Sequence, residues 1–495
     1  MKLSDLANQL LLSRIAGDAN VAVRELEADS RRVSPGCLFF CLPGHTVDGH
    51  DYAEQAVARG AAALVASREL PVDAPQLIVP DTRRALAQIA DYYYGRPSAK
   101  LRPIGVTGTN GKTTTTYLVE RILAGAGTKA GVIGTIETRY GAARIPMSGT
   151  TPDALELQKI FRDMVDAGTE RCVMEVSSHA LEQGRVKGVR FRTAIFTNLT
   201  QDHLDYHGTM EAYEAAKGLF FSRLGNVYAE RPEERSYAVL NADDEASARF
   251  AKLTAAEVVA YGIDNDANLR ASGVRIAASG TSFRLDTANG SRDVRLKLVG
   301  KFNVYNALAA LGAAVCEGIG LDEAIGSLES IEGVPGRVEP VDAGQPFAVV
   351  VDYAHTPDGL ENVLNTVKEL TERNVICVFG CGGDRDAKKR PIMGRIAARL
   401  ADKIIVTSDN PRTEDPHGIL RDIEAGLREA GTPDDRYELV PDRRAAIEKA
   451  VEMAGPGDVV LIAGKGHEAY QIVGGVKHDF DDRLVAKEAI RSRMT

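Results

Sequence analysis

Along this chain, short apolar runs of four to seven residues alternate with longer stretches in which apolar positions recur every three or four residues. The first pattern reads as strands buried on both faces, the second as amphipathic helices, and their alternation predicts an α/β protein with parallel, doubly wound sheets. In the first hundred residues, strands are expected at 36–42, 62–65 and 76–79, between alanine-rich helices. Residues 1–12 carry scattered apolar positions broken by Asp5 and Asn8, which suits a short amphipathic helix better than a leader peptide. A strand, turn and helix are expected from Pro103 onward, with further strands at 130–134, 171–176 and 193–197. From about 268 to 300 the period drops to two, with glycine turns, predicting an antiparallel meander. The last third returns to alternation, with strands expected at 347–351, 375–379, 403–407 and 459–462.

Two proline- and glycine-bearing stretches break the pattern, Gly95-Arg-Pro-Ser-Ala-Lys-Leu-Arg-Pro103 and Glu332-Gly-Val-Pro-Gly-Arg337. They divide 495 residues into three expected domains, 1–97, 98–334 and 335–495, a number the length also favours. No apolar run is long enough to span a bilayer. The six cysteines are scattered, and the four-residue steps of Cys37/Cys41 and Cys377/Cys381 are poor zinc spacing. They read as reduced, packed thiols of a cytoplasmic protein. A formal net charge of −9 argues against a nucleic-acid partner but leaves room for anionic small molecules in local cationic pockets.

In parallel sheets, ligands bind beyond the carboxyl ends of strands, and the polar motifs of this chain stand there. The strongest is Gly108-Thr-Asn-Gly-Lys-Thr-Thr114, between an apolar strand and a helix whose buried face carries Leu118, Val119, Ile122 and Leu123. Gly108 and Gly111 let backbone N–H groups surround phosphate oxygens, Lys112 adds positive charge, and the Thr113 hydroxyl suits Mg²⁺. Five residues, rather than the usual four, separate Gly105 from Gly111. Glu175 closes another apolar strand, and Asn198-Leu-Thr-Gln-Asp-His-Leu-Asp-Tyr-His-Gly208 packs two histidines and two aspartates into one turn. Glu175 and His203 are therefore candidate magnesium ligands, while His207 reads as a packing residue. Lys217 reads as an exposed helix lysine. In the last third, Gly382-Gly-Asp-Arg-Asp386, Asp409-Asn-Pro-Arg412 and Gly464-Lys-Gly-His-Glu468 each follow a strand, so Arg385, Arg412 and Glu468 are expected in one pocket. Arginine grips a carboxylate through two parallel hydrogen bonds and glutamate binds an ammonium, a pair suited to a zwitterion.

The phosphate-loop motif resembles that of the Mur ligase family, and more distantly that of folylpolyglutamate synthases; with the family the likeness extends in order over the whole chain. It implies a central ATP-binding domain flanked by an N-terminal uridine-nucleotide domain and a C-terminal Rossmann-like domain. It implies ATP-dependent joining of an amino acid to a UDP-muramoyl peptide in cell-wall synthesis, through an acyl phosphate. Gly108, Thr109, Asn110, Gly111, Lys112, Thr113 and Thr114 would bind ATP, with Asn303 and Asn306 on the adenine side and Arg337, Asp352 and His355 reaching it from the last domain. Thr113, Glu175, His203 and Lys217 match magnesium positions, two ions being expected, with Lys217 carrying a carbamate formed from CO₂. Lys112, Lys217 and His203 would be the catalytic side chains. Ser30, His45, Thr46 and Val47 match the uridine-nucleotide site, and Thr150, Thr151, Ser177, Gln183 and Arg185 the peptide end of that substrate. Arg385, Asp409, Asn410, Pro411, Arg412, Gly464 and Glu468 match the amino-acid site. Lysine-adding relatives usually lack the arginine at Arg412, so the resemblance implies meso-diaminopimelate, with UDP-muramoyl-dipeptide and ATP as the other partners and a monomeric enzyme.

Overall fold

A computed structural model describes residues 1–44, 47–147, 149–227, 229–231, 234–277, 279–371 and 373–494. The chain divides into two compact units. The first comprises Met1–Gly105, Thr128–Ala194 and Tyr228–Ser236, and the second Val106–Gly127, Ile195–Val227 and Tyr237–Thr495.

Unit one holds a five-stranded sheet in the order Arg14–Ala16, Gln76–Ile78, Ala63–Ala66, Cys37–Phe40, Glu25–Glu27. All neighbours are parallel except the first pair. Successive side chains point to opposite faces, so Leu38 and Phe40 enter one core with Leu86 and Ile89, while Cys37, Phe39 and Cys41 enter another. The helix Thr82–Tyr93 begins at Asp81, whose carboxylate accepts the Arg84 N–H. The expected N-terminal helix is shorter than its apolar stretch: it spans Leu3–Ala7 and leaves Leu11 and Leu12 exposed. The same unit contains Arg171–Glu175 parallel to Ala130–Ile133, then Glu137–Tyr140 and Ala143–Pro146 added antiparallel.

In unit two, Tyr237–Asn241, Glu257–Gly262 and Leu269–Ala277 run parallel. Gly280–Thr287 and Gly290–Leu296 then follow antiparallel, the meander expected from the period-two stretch. In unit one the region expected to be parallel is thus mixed, because the three- and two-residue connections 134–136 and 141–142 permit only antiparallel pairing. The C-terminal part carries six strands in the order Glu339–Pro340, Ala348–Asp352, Val459–Ala463, Val375–Phe379, Lys403–Val406, Tyr437–Leu439, parallel except for the first pair. Cys377, Phe379 and Leu461 fill a core on one face, and Ile376, Val378, Val460 and Ile462 fill one on the other. Each such buried aliphatic or aromatic side chain contributes about 1.5–3 kcal/mol, which makes these strands a rigid platform for the loops at their carboxyl ends. A separate hairpin, Tyr470–Val473 with Val476–Asp479, turns through Gly474 and Gly475, both at positive φ (58° and 79°). That geometry is a two-residue turn glycine adopts without strain. Among the described residues no helix is long and apolar enough to cross a membrane.

Candidate active site

The phosphate loop belongs to unit two from Val106 onward. Gly108 has φ 148°, and a Cβ there would lie 1.8 Å from the Thr197 hydroxyl oxygen, so only glycine fits. The loop is tied to the segment after the strand Thr193–Phe196: the Thr109 N–H donates to Asn198 O at 2.8 Å, and the Asn110 N–H to Asn198 Oδ1 at 2.9 Å. Lys112 opens the helix Lys112–Gly125, and its ammonium curls back to Gly108 O (3.0 Å) and Thr109 O (2.8 Å). The helix N-terminus and this cation face the same turn, an anion-binding arrangement. Thr113 and Thr114 are buried, and Arg337 Nη2 donates to Thr113 Oγ1 at 2.9 Å while its guanidinium lies over the Tyr353 ring.

Lys217 is not the exposed helix lysine that its local sequence suggests. It is 1% exposed, donates to Gly108 O at 2.9 Å, and stands 4.4 Å from the Tyr213 ring centroid. Burial first, and then Lys112, hold its ammonium well below the usual lysine range. Such an amine is more readily neutral, and only the neutral form attacks CO₂. Burial alone would raise the Asp202 carboxyl, but Lys389, His203 and His355 draw it below the usual range. Its Oδ1 accepts the His203 N–H at 2.9 Å, and Lys389 Nζ lies 3.7 Å away. His203 has φ 56°, and His207 packs against Tyr213.

Asn303 and Asn306 are buried in the helix Lys301–Cys316. Asn303 Nδ2 donates to Val299 O, Asn306 Nδ2 to Asn303 Oδ1, and Thr115 Oγ1 to Asn306 Oδ1. Asn306 therefore braces the first turn after the phosphate loop. The Asp352 carboxylate is engaged by the backbone N–H groups of Val338 and Ala354, both at 2.7 Å, and so shapes the turn carrying His355. His355 Nδ1 donates to Tyr353 O at 2.9 Å.

Within unit one, Glu175 is buried and accepts the N–H and hydroxyl of Thr135, at 2.9 and 3.0 Å. The Thr150 hydroxyl pairs with Thr135 Oγ1 at 3.1 Å, Thr151 Oγ1 donates to Glu175 O, and Ser177 caps the helix Ser178–Glu182. Arg185 is oriented by Gln183 Oε1 and Thr151 O. The uridine-site candidates place Ser30 in a buried loop position and Val47 on the surface, while His45 and Thr46 lie outside the described residues.

The amino-acid motifs form a connected network in unit two. Asn410 Nδ2 donates to Glu468 Oε2 at 2.9 Å. Lys465 was not anticipated: it is fully buried and donates to Glu468 Oε2 (3.0 Å) and Asn410 Oδ1 (3.2 Å). Arg412 has φ 55°, and its Nη1 donates to Gly383 O at 2.8 Å. Its backbone N–H donates to Ile472 O of the hairpin, and the Ile472 N–H to Asn410 Oδ1. Pro411 O packs so closely on Gly383 that a Cβ there would lie 1.9 Å away. Arg385 is exposed beside this turn, its Nη1 on Asp384 O.

All six cysteines are free and buried, and burial pushes the thiols of Cys41, Cys377 and Cys381 up to about 12. Among the described residues, no three or more His, Cys, Asp or Glu side chains form a cage for a metal ion. The Thr113 hydroxyl in unit two and the Glu175 carboxylate in unit one are each an oxygen donor of the kind Mg²⁺ takes, since that ion prefers one or two protein oxygens plus water and phosphate.

The Mur ligase middle domain profile matches residues 106–314, the "Mur ligase, glutamate ligase domain" profile 336–466, and the "Mur ligase family, catalytic domain" profile 22–94. A UDP-N-acetylmuramoyl-L-alanyl-D-glutamate–2,6-diaminopimelate ligase from Geobacillus kaustophilus is 54% identical over 494 residues, covering 100% of both chains. The ligase of the same name from Bacillus cereus is 50% identical, covering 100% of this chain and 99% of its own. A solved structure bearing that enzyme name is 35% identical with a TM-score of 0.70, over 100% of this chain and 99% of its own. A folylpolyglutamate synthase from Mycobacterium tuberculosis, at 18% identity and TM-score 0.64 over 83% of this chain and 94% of its own, shares the fold. With three consecutive domain profiles matched and full-length relatives at half identity, the chain belongs to the Mur ligase family.

Proposed function

We propose that this protein is an ADP-forming ligase that joins meso-diaminopimelate to the D-glutamate γ-carboxylate of UDP-N-acetylmuramoyl-L-alanyl-D-glutamate in peptidoglycan synthesis. The observation that carries the reading is the pairing, within one unit, of a phosphate loop with a pocket edge built from Arg412, Asn410 and Glu468. The full-length similarity to ligases of that name supports it.

In the first step a γ-carboxylate oxygen attacks the γ-phosphorus of ATP, releasing ADP and leaving an acyl phosphate. The diaminopimelate amine then attacks the acyl carbon, phosphate departs and the amine loses a proton. Gly108 to Thr114 hold the phosphates, Lys112 neutralises the transferring group, and Arg337 reaches the same turn. Asn303 and Asn306 support the adenine side, and Asp352 and His355 the turn facing ATP from the last domain. Mg²⁺ on Thr113, Glu175, His203 and a carbamylated Lys217 would spread the charge of the transferring phosphoryl group. The burial and depressed basicity of Lys217 favour that modification. Ser30, His45, Thr46 and Val47 contact the uridine nucleotide, and Thr150, Thr151, Ser177, Gln183 and Arg185 its peptide. Arg412, with Arg385 beside it, grips the far carboxylate of diaminopimelate, and Glu468 its far ammonium. The protein acts in the cytoplasm, as a monomer.

The test is ADP release by purified protein with ATP, Mg²⁺ and UDP-muramoyl-dipeptide, supplied with diaminopimelate or with lysine. Release with diaminopimelate at least a hundredfold more efficient than with lysine is expected. Equal efficiency refutes the amino-acid assignment, and release with neither refutes the ligase reading.

A further inference from the structure

The mechanism leaves the buried guanidinium of Arg443 without a task. Arg443 is the first residue of the helix Arg443–Met453, and its side chain and that of Asp482, the first residue of the helix Asp482–Met494, are both 0% exposed. Arg443 Nε and Nη2 donate to the two Asp482 carboxylate oxygens at 2.8 and 2.7 Å, a parallel two-bond pair. The remaining donors do not turn back into that pair. Nη1 reaches Ser408 O at 3.3 Å and Nη2 reaches Ala463 O at 3.0 Å. Ser408 immediately precedes Asp409, and Ala463 immediately precedes Gly464. One guanidinium therefore donates to the last carbonyl before each of the two amino-acid motifs.

The strands leading to those carbonyls are not neighbours, since Val375–Phe379 lies between them. Strands two apart are separated by about 10 Å, too far for one guanidinium unless the loops lean together over the middle strand. They do lean: a Cβ on Gly380, just after the middle strand, would lie 2.1 Å from Thr407 O, and one on Gly464 would lie 2.5 Å from Asp409 Oδ2. The convergence that brings Asn410 to Glu468 is thus held from beneath by Arg443, and Asp482 holds Arg443.

We propose that Arg443, oriented by Asp482, is a positioning residue for amino-acid selection: it sets the spacing between the loop bearing Arg412 and the loop bearing Glu468. This rests on the proposed role of those two side chains. It touches neither substrate nor nucleotide, so its loss acts on the amino acid and spares ATP.

Removing one partner alone leaves a buried charge and endangers folding, whereas replacing both by apolar side chains of similar volume preserves packing. The test is the double variant Arg443→Met/Asp482→Leu in the full-length enzyme, with circular dichroism and a thermal transition to establish folding. The KM for diaminopimelate is expected to rise at least tenfold, with the KM for ATP within twofold of the parent. The ratio of kcat/KM for diaminopimelate over lysine, which is independent of the active fraction, is expected to fall by at least fivefold. A folded double variant with parental KM and ratio overturns the proposal, as does an equal rise in the KM for ATP. Asp482→Asn, which keeps the shape of the pair, is read by the same criteria and decides the matter when the double variant does not fold. Absence of diaminopimelate preference in the parent enzyme refutes the pocket assignment instead, and the KM of whichever amino acid is accepted then reads the role of Arg443.

Discussion

The phosphate loop and the amino-acid pocket are built in opposite ways. Lys112 finds its partners at Gly108 and Thr109, four and three residues away. A strand, a turn and a helix in that order place the cation and the backbone donors, and any chain with that local grammar makes much the same nest. Asn410 and Glu468 meet across 58 residues, and Arg443 and Asp482 across 39. Their geometry depends on three strand ends, a buried ion pair and a docked hairpin. A locally encoded anion nest can serve many substrates, whereas a pocket assembled from distant loops changes its choice whenever one loop moves.

That contrast predicts different failures. Lys112→Ala removes the charge at the phosphates and is expected to lower kcat by about a thousandfold, the scale of losing one preorganised electrostatic group, with the fold intact by circular dichroism; near-parental turnover would break the phosphate assignment. Lys217→Ala is expected to lose activity about a hundredfold, comparable to losing one positioned charged group, with partial recovery in short carboxylic acids. Full activity without additive would dismiss the carbamate and leave the buried lysine a structural prop for Gly108 O. Arg412→Ala should act on binding more than chemistry. Loss of a charge-assisted contact of about 1.5–3 kcal/mol raises the KM for diaminopimelate roughly ten- to a hundredfold, and an unchanged KM would remove the argument for amino-acid choice. Asp415→Ala is the control. Asp415 caps the helix Pro416–Glu429 by accepting the N–H groups of His417 and Gly418. Its loss should cost about 1 kcal/mol of stability, seen as a small fall in melting temperature with kinetic constants unchanged. A shift in the KM for diaminopimelate there would show that the pocket feels its platform more widely than through Arg443.

Much of the architecture was legible from apolar periodicity. The strand expected at 375–379 is Val375–Phe379, and those expected at 171–176 and 459–462 are Arg171–Glu175 and Val459–Ala463. Strands buried on both faces carry an uninterrupted apolar signal, and glycine-marked meanders carry a period of two, so both survive without tertiary context. Strand direction did not: the antiparallel additions Glu137–Tyr140 and Ala143–Pro146 had no signal strong enough to separate them from a loop. Among candidate site residues, the loop glycines and Lys112 were readable because their chemistry is local. Lys217 was not, since the pattern Glu-Ala-Ala-Lys-Gly suits a solvated helix face and its burial depends on Tyr213 and on a carbonyl 109 residues away. Lys465 and Arg443 were missed for the same reason: a basic residue in a polar loop or at a helix start is ordinarily exposed, and no short-range pattern marks the few that are enclosed.

By itself, then, the order of residues determined the alternation of elements, the phosphate nest and the kinds of side chain standing at each strand end, because these follow from backbone sterics and burial over a few turns of chain. Only the tertiary structure decided which cations are buried, which carbonyls they hold and how far apart Arg412 and Glu468 stand. Those are balances of desolvation against pairing between segments dozens of residues apart, and no local pattern encodes them.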